Sequence, residues 1–127
     1  MEPAADQRNE RLEKSVEIGT LCAFYGGLLT QRQLEALRLH YEEDYTLGEI
    51  AEQMSVTRQN VHELITRSVQ KLRRYEEALG LAARAEDTAR ALRKAQSLLA
   101  QGSLNEANRI LETIIRQQEG EENEHGI

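Results

Sequence analysis

One short pattern recurs three times in this chain, each time ahead of an apolar run. It reads Leu29-Thr30-x-x-Gln33-Leu34, then Tyr45-Thr46-x-x-Glu49-Ile50, then Val56-Thr57-x-x-Asn60-Val61. A threonine hydroxyl can accept from a free N–H group at a helix start, and a Gln or Glu three residues on can reach back to the threonine N–H. The apolar residues on either side suit a staple between the residue before the cap and the first full turn. Three helix starts therefore crowd into residues 30–61, and the last two lie eleven residues apart. That spacing leaves room for one short helix and a tight turn, the layout of a helix-turn-helix.

Composition supports an all-α fold. The chain has 127 residues with one proline, Pro3, and is rich in Ala, Leu, Glu, Gln and Arg. Few breakers and many strong helix formers point to helix almost throughout. The length suits one domain with a modest core, or one with an appendage.

A walk along the chain gives four parts. Residues 1–8 are expected to be frayed. A helix-turn-helix domain spans 9–80, beginning with a helix over 9–28 whose stripe is Val16, Thr20, Ala23 and Phe24, with Leu21, Leu28 and Leu29 nearby. Gly26-Gly27 suggests a close helix approach or a break. A second helix runs from Gln31 to about Glu43, with an acidic end that opposes the helix dipole. The third, Leu47 to Met54, turns Ile50, Ala51 and Met54 inward. The turn Ser55-Val56-Thr57 needs a left-handed residue, and Ser55 stands where glycine fits best. The fourth helix starts at Arg58, with Val61, Leu64, Ile65, Val69 and Leu72 as its apolar stripe. Residues 81–119 predict a C-terminal helical hairpin, because two stripes are joined by the short break Gly102-Ser103. Ser103-Leu104-Asn105-Glu106 is a further capping box. Residues 120–127 read as a disordered acidic tail.

Net charge is −6, yet residues 57–75 carry +4. The basic charge sits on one helix of an otherwise acidic protein, and distribution matters more than the sum for nucleic-acid binding. A helix that enters the major groove needs an apolar back and polar or basic side chains in its first turns. Arg58, Gln59, His62 and Glu63 are the candidates for base edges, since Arg can bridge guanine and Gln adenine. Arg67, Lys71 and Arg74 lie further along and suit phosphates.

The stretch Phe24-Tyr25, Leu29-Thr30 and Gln33, then Tyr41-x-x-Asp44-Tyr45-Thr46-Leu47-x-Glu49-Ile50-Ala51-Glu52, then Val56-Thr57-Arg58-Gln59-x-Val61 and Leu72-x-x-Tyr75-Glu76 resembles the YlxM family. Those are small bacterial proteins with a helix-turn-helix similar to region 4 of sigma-70 factors. The resemblance covers about residues 16–79. It implies an accessory or regulatory role in the signal recognition particle pathway, with that particle's RNA, DNA or its protein component as partner. Ser55 replaces the family's usual glycine in the turn, and the resemblance does not extend to the hairpin. With 29 residues ahead of the segment, a full sigma factor is not expected.

Chemistry of other kinds is sparse. His40 and Glu43 lie three apart on one helix, which reads as an exposed polar pair rather than a metal site. No phosphate loop and no nucleophile with its partners is present, so the chain reads as a non-enzyme without cofactor or metal. The single cysteine, Cys22, reads as a buried thiol, consistent with a reducing cytoplasm. No apolar signal core and no membrane span are evident. The alternative to nucleic-acid binding is a protein-interaction module built on a helix-turn-helix scaffold, with the stripes of 81–118 or the first helix taking a protein partner or a second copy; a homodimer through the helices outside the recognition segment is expected on either reading.

Overall fold

The computed structural model describes residues 3–125. Residues 1, 2, 126 and 127, the ends of the stretches expected to be frayed or disordered, lie outside the described residues. The protein is all-α: six helices with no strand among the described residues. They are α1 (Pro3–Tyr25), α2 (Gln31–Leu37), α3 (Leu47–Met54), α4 (Arg58–Leu79), α5 (Leu81–Ala100) and α6 (Leu104–His125). The chain forms two compact units, residues 1–82 and 83–127.

The first unit is built around α4, on which α1, α2 and α3 all pack. Its core includes Ile18, Leu21 and Tyr25 from α1, Ala36, Leu37 and Leu39 from α2 and its extension, Ile50 and Ala51 from α3, and Val61, Ile65, Val69 and Leu72 from α4. One polar side chain joins them: Ser68 is fully buried, and its hydroxyl donates to the Leu64 carbonyl at 2.6 Å.

The face of α1 differs from the expectation. Ile18, Leu21 and Tyr25 are buried, whereas Val16, Thr20, Ala23 and Phe24 are exposed. Both sets recur at helical spacing. The deciding contact is polar: the Tyr25 hydroxyl donates to Glu76 Oε1 at 2.5 Å and accepts from the Leu81 N–H at 3.0 Å. Glu76 Oε1 also accepts from the Ala82 N–H at 2.9 Å. Free N–H groups in the first turn of α5 thereby find acceptors. Burial raises the Tyr25 pKa above its ordinary value, and the hydrogen bond to Glu76 raises it further. A tyrosine whose folded pKa is raised stabilises fully below its unfolded value of about 10 and loses that contribution as pH climbs through the folded value. Tyr25→Phe should therefore lower the thermal midpoint by several degrees at neutral pH. The gap between parent and variant should narrow in scans run above pH ~10; a gap independent of pH would remove the ionisation argument.

The connections follow from local chemistry. α1 ends in a tight 3₁₀ turn, Gly26–Leu28. A β-carbon on Gly26 would come within 3.2 Å of Leu34 Cδ2, so the glycine permits the close approach of α2. Beyond Leu37, α2 winds as a π-helix over Arg38–Glu42. Asp44 then turns left-handed, and the Tyr45 N–H closes onto the Leu39 carbonyl at 2.9 Å. Asp tolerates that region better than most non-glycine residues.

Among the described residues, the first and last helices reach into the stretches expected to be frayed or disordered. α1 begins at Pro3, where proline at a first helical position forfeits no bond. α6 continues to His125, into the stretch read as a disordered tail, whose Glu residues are good helix formers. The hairpin turn has Gly102 at φ 82°, with the Ser103 N–H closing onto the Leu98 carbonyl at 2.8 Å.

Candidate nucleic-acid interface

The interface is set by two caps and one left-handed residue. Thr46 accepts from the Glu49 N–H at 3.1 Å, and the Glu49 carboxylate accepts from the Thr46 N–H at 3.0 Å. The Thr46 N–H, and after it the Thr46 hydroxyl, hold the Glu49 carboxyl below its usual pKa. Ser55 lies at φ 58°, ψ 47°. Its N–H and that of Val56 fold back onto the last turn of α3, the Val56 N–H reaching the Ala51 carbonyl at 3.0 Å. Thr57 then caps α4 by accepting from the Asn60 N–H at 3.0 Å. The rod is broken at Ser55, and α3 and α4 form the helix-turn-helix. Serine in this conformation is strained by roughly 1–2 kcal/mol relative to glycine, a cost that the packing of Ile50 and Val61 offsets.

All seven candidate residues lie on α4, but they do not share one narrow face. Arg58, Gln59, His62, Glu63, Arg67 and Arg74 are exposed; Lys71 is half-buried. At about 3.6 residues per turn, Gln59, Glu63 and Arg74 point outward together with Thr66 and Gln70. Arg58 turns toward α3: a β-carbon on Gly48 would meet its Cδ and Nε at 3.8 Å. Arg67 turns toward α2, and Lys71 lies further round the same way. Arg73, also exposed, ties α4 to α1 by pairing with Glu17 at 3.0 Å.

Two open grooves flank α4. One, about 340 Å³, is lined by Arg32 and Gln33 of α2 with Asn60, Glu63 and Arg67 of α4. It brings Arg32 to the edge of the basic surface. Arg32 lies two residues after the Thr30 cap, and only the packing of α2 on α4 shows that it belongs there. The other groove, about 300 Å³, places His62, Thr66 and Gln70 beside His40 and Tyr41.

His40 does not pair with Glu43. It is half-buried, its Nδ1 donates to the Tyr45 carbonyl at 3.0 Å, and its ring meets Tyr41 edge-on. Glu43 pairs with Arg38 instead, at 3.4 Å. Cys22 is half-buried, and burial pushes its thiol pKa up. Among the described residues no cluster of three His, Cys, Asp or Glu could hold a metal ion, and no helix is long and apolar enough to cross a membrane.

Comparison with known proteins agrees with this geometry. Residues 12–120 match the model of the UPF0122 family, described as "Putative helix-turn-helix protein, YlxM / p13 like". A UPF0122 protein of Symbiobacterium thermophilum is 44% identical over 97 residues, covering 76% of this chain and 91% of its own. One from Desulforamulus reducens is 46% identical over 83 residues, covering 65% of this chain and 71% of its own. One from Halalkalibacterium halodurans is 36% identical over 104 residues, covering 81% and 95%. With a capped, crossed α3–α4 pair and a family match over most of its length, the chain belongs to the UPF0122 helix-turn-helix family of YlxM / p13-like proteins.

Proposed function

We propose that this protein is a nucleic-acid-binding accessory or regulatory factor, and that α4 is its contact element. The observation that carries the reading is the position of Arg58, Arg67 and Arg74: exposed on the helix that follows the turn, in a chain of net charge −6. Gln59 and Glu63, on the outward face, are the base-edge candidates; Arg58, Arg67 and Arg74, with Arg32 alongside, suit phosphates. The resemblance to YlxM proteins favours the signal recognition particle pathway as the setting, with the particle's RNA as the first ligand to try.

The test is fluorescence anisotropy with two labelled probes, a DNA duplex and a signal recognition particle RNA hairpin, across a salt series. Binding to at least one probe is expected, weakening steeply between ~50 and ~200 mM salt as phosphate contacts release counterions. Absence of binding to both at the lowest salt ends the proposal. If the particle's RNA competes no better than an unrelated hairpin of equal length, the targeting-pathway part is wrong.

A further inference from the structure

The hairpin unit buries little of its own apolar surface. Among its described residues only two alanines, Ala95 and Ala107, are fully buried. Leu98, Ile110, Leu111 and Ile114 are half-buried, and Leu92, Leu99, Leu104 and Ile115 remain 45–63% exposed. A helix pair of this size does not normally hold its shape without help from a further surface.

The exposed residues are not scattered. We take Ala95 and Ala107 as the line along which α5 and α6 meet. Leu92 and Leu99 are then rotated one way round α5, and Leu104, Leu111 and Ile115 the same way round α6. In an antiparallel pair, equal rotations on the two helices bring both sets to one side. That side therefore carries Leu92 and Leu99 next to Leu104, Leu111 and Ile115. Its α5 edge is Ala85, Ala89 and Gln96, with no charge, and the α6 rim carries Asn108, which donates to Glu112 at 3.1 Å, and Glu119. The charges of α5 lie elsewhere: Arg90 and Arg93 are engaged with Glu86 on the far flank, at 3.7 and 3.2 Å. An aliphatic centre depleted of charge is the composition of an interface core rather than of a solvated face.

We infer that this face is the dimer interface of the protein, and that its occupant is the same face of a second copy, giving a four-helix bundle. Two observations favour a second copy. The aliphatic centre meets its own twofold image without repulsion, as closed symmetry requires. A face two helices wide and about four turns long removes roughly 500–600 Å² from water on each copy, so the pair reaches the ~1,000 Å² that a stable interface needs. The assembly holds two α4 helices, as helix-turn-helix dimers on paired half-sites do, but it stands whether or not nucleic acid binds.

The test is sedimentation equilibrium on the full chain, from micromolar to ~100 µM. The parent is expected at twice the protomer mass. Leu99→Glu with Ile115→Glu should weaken association at least a hundredfold, while Arg90→Glu with Arg93→Glu, on the far flank, should leave it unchanged. A monomeric parent overturns the inference, whatever the variants do. So does a dimer that survives Leu99→Glu with Ile115→Glu. A benzophenone label on Gln96→Cys supplies a readout that does not depend on a destabilising change. Crosslinks to α5 or α6 of a second copy support the interface. Crosslinks confined to residues 1–82 of the same chain show that the first unit covers this face, and overturn it.

Discussion

Replacing Arg58, Arg67 and Arg74 together by alanine should lower affinity for nucleic acid by about a hundredfold or more, with far-ultraviolet circular dichroism and thermal midpoint nearly unchanged. The three side chains are exposed. Arginine at the first helical position also opposes the helix dipole, so its loss at position 58 costs the fold little. Each phosphate contact supplies a counterion-release increment, so the triple variant should also flatten the salt dependence by nearly three contacts. A companion variant, Arg90→Ala with Arg93→Ala and Arg109→Ala, removes the same formal charge from the hairpin. None of these three belongs to the contact element proposed on α4, so this companion should bind within a few-fold of the parent. Equal losses in the two variants would mean that bulk charge, and not α4, governs binding. No loss in either would remove α4 from the interface.

The helix-turn-helix was legible because its determinants are local. Each threonine cap depends on a residue three positions away, and the stripe Val61, Leu64, Ile65, Val69, Leu72 has one reading on α4. The left-handed turn at Ser55 follows from the short distance between the Thr46 and Thr57 caps. The inward face of α1 was not legible, because Val16, Phe24 and their neighbours compete with Ile18, Leu21 and Tyr25 at the same period. Glu76 decides between them from 51 positions away. Long-range packing also explains the candidate surface: the identities of its basic residues could be read, but their partition could not. Arg73 is withdrawn by Glu17 and Lys71 is half-buried, while Arg32 is brought in by the seating of α2. The hairpin's helices were legible, but the side on which its exposed leucines gather needs the register of the turn at Gly102.

The integrity of the turn itself rests on one side chain. α3 has eight residues, far too few to be helical alone in water. Its capping box orders the first turn, but what holds it in place is burial of Ile50, which is 0% exposed, and Ala51 against α4. Ile50→Ala should therefore destabilise the first unit by about 2–5 kcal/mol, a large share of the ~5–15 kcal/mol typical of a whole domain. In a unit of this size that lowers the thermal midpoint by roughly 10–30 °C. Ile50→Val, which keeps the branched shape, should cost only about 0.5–1.5 kcal/mol. Differential scanning calorimetry reads both. Nucleic-acid binding separates this effect from that of the arginines. At a temperature where Ile50→Ala remains folded, its affinity should fall only as far as α3 undocks, and lower temperature should restore it. Loss of the arginine contacts cannot be restored that way. If Ile50→Ala melts within a few degrees of the parent, α3 is not held by its packing, and the crossed pair would need another source of rigidity.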